Sequence, residues 1–99
     1  MNKERPLFMA LKTEHYLPFR SGEKKYEIRQ YGKRWNEDTC RIGRLVSVSH
    51  GYQKRGRLIR VVTDFKKISG SQLNEADRMA VEAIWGAEAL KKEYVLIYC

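Results

Sequence analysis

The C-terminal segment places the strongest constraint on what this chain can fold into. Residues 94–98, Tyr-Val-Leu-Ile-Tyr, are apolar at every position instead of at alternate positions. A strand of this kind is covered on both faces, so the chain must supply a packing layer on each side of it. With 99 residues, of which 42% are hydrophobic, the sequence predicts a single globular domain, residues 1–99, and not a second one.

Four further segments have strand-like patterns. Residues 7–11 form a short apolar run, and residues 25–29 alternate polar and apolar side chains, with Tyr26 and Ile28 on one face. Residues 45–49 and 58–65 predict an antiparallel hairpin with a long basic tip. In the second of these strands the apolar face is predicted to hold Ile59, Val61, Thr63 and Phe65.

Two helices are predicted between these strands. The first begins at Thr13 as the N-cap and ends at Ser21, with Gly22 in the position after the helix that favours glycine. The second begins near Gln72, is capped by Ser71 or Asn74, and ends or is interrupted at Gly86. Its predicted apolar face consists of Leu73, Ala76, Ala80, Ala83, Ile84 and Ala87. The fold class is therefore α+β and mostly β, a small antiparallel β-barrel with about two flanking helices.

The positive charge is concentrated in the middle of the chain. The formal net charge is +8, and residues 20–67 hold 14 Lys or Arg against five Asp or Glu. Tyr26, Tyr31, Trp35 and Tyr52 lie in the same segment. Clustered cations attract polyanions, and interleaved rings suit base stacking, so the pattern favours RNA or nucleotides as partners. A basic surface that serves only solubility is the alternative.

Several classes of protein are excluded by what the sequence lacks. No apolar run approaches the roughly 18 residues needed to cross a bilayer, and residues 7–11 are too short for the apolar region of a signal peptide. We therefore expect a cytoplasmic protein with no membrane partner. Cys40 and Cys99 have no metal-ligand spacing. We expect them to be reduced, small apolar residues, and we expect no metal and no cofactor.

Residues 21–29, Ser-Gly-Glu-Lys-Lys-Tyr-Glu-Ile-Arg, resemble the ASCH family, a branch of the PUA-like superfamily. Members carry a pattern close to Gly-x-Lys-x-x-Glu-x-Arg after a first strand and a helix. The matching positions here are Gly22, Lys24, Glu27 and Arg29. The element order matches over nearly the whole chain, while only this nine-residue motif is specific.

Two other segments bear on the resemblance. Residues 31–36 and 49–52 are similar to a phage and bacterial subgroup of small single-domain members. The chain departs from the family at Gly43-Arg44, where many members have Gly-Asp. This difference removes an acid and adds a cation, which favours anion binding and weakens the transfer of a family mechanism.

The resemblance implies a PUA-like β-barrel whose cleft is lined by the motif and whose ligands are RNA, modified nucleosides or nucleotides. Some small bacterial members are amidohydrolases acting on N4-acetylcytidine with a Lys, a Thr and a Glu. Lys24 matches the Lys, Glu27 occupies the Thr position, and the later Glu is either Glu75 or Glu82. Another member has been described as a ribonuclease.

The chemistry of the motif residues suits either ligand binding or catalysis. Glu27 and Arg29 are two residues apart and share one strand face. Lys24 beside a carboxylate can hold a phosphate or polarise a carbonyl, or act as a base if it is desolvated, and Glu27 can move the proton of an attacking water. Lys24 and Glu27 are therefore the candidate catalytic residues. The alternative is that Lys25, Glu27 and Arg29 form an ordinary solvated strand face. An ion pair of Glu27 with Arg29 would then stabilise the fold by under about 1 kcal/mol.

Three hypotheses follow. The first is a binding module for RNA or a modified nucleotide, the second a hydrolase acting on a modified nucleoside or on RNA, and the third a phage or host protein-interaction module. His15 is a weaker candidate for the site, and we expect a monomer or a weak dimer. The residues predicted to bind nucleic acid or nucleotide are Lys24, Lys25, Arg29, Lys33, Arg34, Trp35, His50, Tyr52, Lys54 and Arg55.

Overall fold

The computed structural model describes residues 5–99, which form an α+β domain with two three-stranded sheets. The first sheet has the order β1-β3-β4, with β1 at Leu7–Leu11, β3 at Leu45–His50 and β4 at Leu58–Val61. The second has the order β2-β6-β5, with β2 at Tyr26–Gln30, β6 at Glu93–Tyr98 and β5 at Asp64–Ser69. The helices are α1 at Thr13–Ser21 and α2 at Glu75–Trp85, with short 3-10 helices at Gly70–Gln72 and Gly86–Lys91.

Strand β6 is covered on both faces, as its uniform apolar sequence predicts. Val95 and Ile97 belong to the core that includes β1, β3 and α1. Tyr94 and Leu96 belong to a second core beneath α2 and the 3-10 helix that follows it. The central strand of the second sheet therefore joins two packing layers, and residues 94–98 are the sequence feature that most directly determines this architecture.

The prediction of one strand over residues 58–65 is wrong, because the chain changes sheets within it. Val62 N donates to Arg44 O at 2.9 Å, and Thr63 N donates to Tyr98 O at 2.8 Å. Leu58 and Val62 pack in the main core before the change of sheet, and Phe65 packs against it afterwards, so the core-facing positions shift from even to odd numbers. The predicted apolar face is therefore wrong for Ile59, Val61 and Thr63, which are exposed, and correct for Phe65, which packs against the main core. Val62, outside the predicted face, is fully buried.

The sheets are less uniformly antiparallel than predicted. Strands β1 and β3 pair in parallel, whereas the other three pairings are antiparallel. The 33 residues between β1 and β3, which include α1 and β2, provide the crossover that a parallel pairing needs. Among residues 5–99 no ladder of backbone hydrogen bonds joins β1 to β2, so the closed barrel stays a prediction.

The ends of the helices follow capping chemistry. Gly22 ends α1 in the left-handed region at φ 87°, as predicted, but the N-cap residue is Lys12 and not Thr13. Of the two predicted caps for α2, Asn74 is the one that caps it, and its Oδ1 accepts from Asp77 N at 2.8 Å. Helices α1 and α2 contain 9 and 11 residues. Within residues 5–99 no helix is long and apolar enough to span a bilayer.

The predicted apolar face of α2 is mostly uncovered. Of its members Leu73 is buried, and the other five, Ala76, Ala80, Ala83, Ile84 and Ala87, are exposed. The buried residue of the helix is Val81, which the predicted face did not include. The helix has only one layer to pack against, so its wide apolar stripe exceeds what the second sheet can cover. The uncovered part of this stripe forms one wall of the cleft described next.

A candidate ligand-binding cleft along strand β2

A cleft of about 1100 Å³ follows the edge of β2. Because β2 is an edge strand of its sheet, its outer side is open to a ligand. One wall comes from the end of β1 and from α1, and the other comes from α2. The volume lies just above the usual range of about 300–1,000 Å³ for small-molecule sites. The side chains that form the α2 wall are Asp77, Ala80, Val81, Ala83, Ile84 and Trp85.

The motif residues converge at the floor of this cleft. Glu27 is only 7% exposed, and its Oε1 accepts from Lys24 Nζ at 2.9 Å and from the backbone N of Ile28 at 3.2 Å. Its Oε2 accepts from Arg29 Nη2 at 3.3 Å. A carboxylate that is almost fully buried is held here by two cations and a backbone donor, which is the condition for burying such a charge.

Strand geometry explains why Glu27 points inward. In the pairing of β2 with β6, Glu27 lies opposite Ile97 and Arg29 lies opposite Val95, so all four side chains share one face. That face belongs to the main core. The alternative of a solvated strand face is therefore wrong for Glu27, although the neighbouring Lys25 is exposed.

Arg29 links the cleft to strand β1. Its Nη2 donates to Ala10 O at 3.0 Å, and its guanidinium lies over the Trp35 ring at 4.9 Å from the centroid. The Arg29 Nε is buried and has no hydrogen-bond partner among the described residues. Trp35 is half-buried, packs against the core and also lines the cleft.

His15 lies beside Lys24 in the lining of the cleft. Its Nδ1 lies 3.3 Å from Lys24 Nζ, and Lys24 also lies over the Phe19 ring at 5.4 Å from the centroid. Lys24 is held at the turn after α1 because its backbone N donates to Pro18 O at 3.0 Å. The sequence contained a usable signal: His15, Pro18 and Phe19 are spaced by three and four residues, which places them on one side of α1.

The cleft is not itself positively charged. Its lining contains four basic and four acidic side chains. The predicted basic cleft is thus corrected: Glu27 and three other carboxylates balance the four cations of the lining, and the excess positive charge of residues 20–67 lies outside the lining. The charged residues of the lining are Lys12, Lys24, Lys25, Arg29, Glu14, Glu23, Glu27 and Asp77.

A hydrogen bond between side chains joins β2 to α2 within the cleft. Tyr26 Oη donates to Asp77 Oδ2 at 2.5 Å, and this hydrogen bond is the main reason that the pKa of Tyr26 is raised above its usual value. Tyr26 is among the rings that the sequence places within the basic segment, whereas no sequence signal points to Asp77. Glu75 and Glu82, the two helix candidates for a catalytic glutamate, are exposed and lie outside the cleft lining.

The remaining predicted binding residues lie outside the main cleft. Lys33 and Arg34 are exposed on the loop that carries Trp35, and Lys54 and Arg55 are exposed in the turn between β3 and β4. The structure therefore separates the predicted set into a group inside the cleft and two exposed basic groups near it.

His50 and Tyr52 also lie outside the main cleft. His50 Nε2 is 2.6 Å from Thr13 Oγ1, and its ring stacks on Tyr16 at a centroid distance of 4.8 Å. Tyr52 is 83% exposed, and its ring stacks on Phe8 at 6.0 Å. His50 is thus engaged within the fold, whereas Tyr52 presents most of its surface to solvent.

The two thiols are free and poorly suited to chemistry. Burial raises the pKa of Cys40, and it raises the pKa of Cys99 to about 11, so neither forms an appreciable thiolate at neutral pH. This agrees with their interpretation as small apolar residues. Within residues 5–99, no three His, Cys, Asp or Glu side chains are grouped so that they could hold a metal ion.

Comparison of the chain with protein-family models, with curated proteins and with solved structures gives no match. The resemblance to the ASCH family therefore rests on the residues of the motif and on the order of the elements.

Proposed function

We propose that this chain is an ASCH-type, PUA-like protein that binds a nucleobase of RNA, or a nucleoside or nucleotide, in the cleft along β2. The observation that carries the proposal is the buried Glu27 paired with Lys24 and Arg29, beside aromatic and small apolar walls. Sites for small molecules combine these two elements, since apolar walls supply contact area and a few placed polar groups fix orientation.

The array matches the edge of a base. A carboxylate accepts from amino and imino N–H groups, while the ammonium of Lys24 and the guanidinium of Arg29 donate to carbonyl oxygens. The balanced charge of the lining suits an uncharged base.

The surroundings of the cleft suit the rest of a nucleotide. Trp35 offers a ring for stacking at the edge of the cleft, and exposed cations on the neighbouring loop are available to phosphates. On this proposal the cleft selects the base, and Lys33 and Arg34 contribute affinity that falls as salt concentration rises.

Binding is tested with a panel of nucleosides, modified nucleosides, nucleotides and short RNAs. A ligand that binds only the native state raises the melting temperature. We expect at least one base or nucleoside to do so, and we expect Lys24→Met to remove the effect. The matched control is Lys91→Met, because Lys91 is 78% exposed in a surface pair with Glu88. No shift with any ligand, or equal shifts in Lys24→Met and the wild type, contradicts the proposal.

A hydrolase is the second candidate, favoured by the distances of 2.9 Å and 3.3 Å from Lys24 Nζ to Glu27 and His15. For an N-acylated nucleoside, water attacks the acyl carbon while Glu27 accepts its proton and Lys24 stabilises the developing oxyanion. The C–N bond then breaks, and the amine leaving group takes the proton from Glu27. The products are the carboxylic acid and the free amino group.

The two candidates are separated by an assay of turnover. N4-acetylcytidine is incubated with the wild type, with Lys24→Ala and with Lys91→Ala, and release of cytidine is followed by chromatography. Hydrolysis by the wild type and the control but not by Lys24→Ala supports the enzyme. Binding without hydrolysis rejects it and leaves the binding proposal in place.

A further inference from the structure

A continuous series of cations and aromatic rings leads out of the cleft. We call it the aromatic track and define it by Trp35, Arg34, Phe8, Arg57 and Tyr52. The Arg34 guanidinium lies over the Trp35 ring at 5.3 Å, and its Nη2 donates to Phe8 O at 3.4 Å. The Arg57 guanidinium lies over the Phe8 ring at 5.3 Å, and the Phe8 and Tyr52 rings stack at 6.0 Å.

The track connects elements that are far apart in the sequence. Trp35 belongs to the loop after β2, Phe8 belongs to β1, and Arg57 and Tyr52 belong to the turn between β3 and β4. Trp35 lines the cleft, so one end of the track is at the cleft. Tyr52, the most exposed large hydrophobic residue described, is at the other end.

The cations of the track are not neutralised within the fold. Arg34 and Arg57 are exposed, and their hydrogen bonds go to the backbone carbonyls of Phe8 and Gln53. Among the described residues neither forms a salt bridge. Both guanidinium groups therefore stay available to an external anion while their flat faces rest on rings.

We propose that the cleft and the aromatic track together bind single-stranded nucleic acid, with one base in the cleft and the following nucleotides along the track. This inference rests on the proposed function and extends it from a single base to a polymer. Tyr52 is exposed, and Phe8 and Trp35 are half-buried. Rings that alternate with cations match unpaired bases between phosphates, because each base offers a π-face to a ring and each phosphate offers two oxygens to a guanidinium. An acidic peptide would use the cations but would leave the rings unused.

The test compares a nucleoside with oligonucleotides in the wild type and in track variants. Binding of labelled eight-nucleotide RNA is followed by fluorescence anisotropy, and binding of the nucleoside by thermal shift. We expect Tyr52→Ala to weaken binding of the oligonucleotide by about tenfold, through loss of one stacked base. Tyr52→Ala should bind the nucleoside with the affinity of the wild type. Tyr52→Phe, which keeps the ring, should bind the oligonucleotide with the affinity of the wild type.

Salt dependence tests the cations separately. We expect Arg57→Gln and Arg34→Gln each to lower the slope of log affinity against log salt by about 0.7, the loss of one phosphate contact to a single strand. Two variants on different loops are used so that a local change in one loop does not decide the result. Lys91→Gln is the control for general charge, and we expect its slope to be unchanged.

The outcomes distinguish the two proposals. The track is refuted, and the cleft proposal stands, if a nucleoside binds but the oligonucleotide binds no more tightly than the nucleoside. The same conclusion follows if a nucleoside binds but Tyr52→Ala does not weaken binding of the oligonucleotide. If the oligonucleotide binds through Tyr52 while no base or nucleoside binds and Lys24→Met has no effect, the track is supported and the cleft proposal fails. Tighter binding of duplex RNA or of polyglutamate refutes the track. Equal binding of DNA of the same sequence supports it, since rings and guanidinium groups contact parts that both polymers share.

Discussion

Replacing Glu27 with glutamine tests whether the array at the floor of the cleft is a coupled charge network. Glu27 is 7% exposed, and its two oxygens accept from Lys24, Arg29 and the backbone N of Ile28. Glutamine has nearly the same shape but keeps only one acceptor oxygen. Its amide nitrogen is a donor, and it must face the donors of Lys24 or Arg29.

The expected loss of stability follows from these contacts. Removing one partner of a fully buried ion pair costs about 3–5 kcal/mol. The side chains of Lys24 and Arg29 are 24% and 26% exposed, so water compensates part of the loss. The contact to Arg29 is also long, at 3.3 Å. We therefore expect Glu27→Gln to lower the free energy of unfolding by about 1–3 kcal/mol.

Urea unfolding followed by circular dichroism measures this loss. The matched control is Glu23→Gln, the same chemical change at an exposed position four residues earlier. We expect the control to change the free energy of unfolding by less than about 0.5 kcal/mol. If both variants lose the same amount, the buried network does not exist as described. A double variant with Lys24→Met should lose less than the sum of the single losses, because the two residues contact each other.

The remaining predictions concern packing and titration. Gly70→Ala should lower the free energy of unfolding in urea by about 1–3 kcal/mol, because the new Cβ would lie 2.6 Å from a backbone carbonyl oxygen of the 3-10 helix after α2. The control is Gly32→Ala, whose Cβ would have no atom within 4 Å, and we expect it to change the free energy of unfolding by less than about 0.5 kcal/mol. Tyr26→Phe should cost about 1 kcal/mol, since it removes the hydrogen bond to Asp77, and an unchanged unfolding midpoint would contradict this. The pKa of Cys99 rises from 9.0 to about 11 on folding, so the unfolded thiol ionises first and stability falls between pH 9 and pH 11. Cys99→Ala should show a smaller fall across that window, and an equal fall would argue against a buried thiol.

The sequence identifies local elements well and their partners poorly. The pattern of residues 94–98 correctly implies two covered faces, because uniform apolarity has one simple structural cause. The run from 58 to 65 keeps its strand-like composition while the chain changes sheets at Val62. Period-two patterning cannot detect that change, since it records how side chains alternate but not which sheet the backbone joins.

Strand β5 illustrates a second limit. It continues to Ser69 through Lys66 and Lys67, which are exposed and interrupt the apolar pattern. Edge strands commonly carry lysines because these prevent pairing with other chains, and β5 is at the edge of its sheet. The lysines that prevent such a strand from pairing with other chains also interrupt its apolar pattern. A prediction based on hydrophobicity therefore misses this part of the strand.

The candidate site shows the same division between local and long-range information. The spacing of Glu27 and Arg29 places both on one strand face without any knowledge of the fold. That this face is buried depends on the pairing with β6, and the contact of Tyr26 with Asp77 spans 51 positions. The charge of the cleft also depends on long-range placement. Acidic side chains from α1, β2 and α2 lie in the same lining as the cations and balance their charge. A basic segment therefore does not imply a basic pocket: the structure separates a cleft of balanced charge from an exposed basic surface.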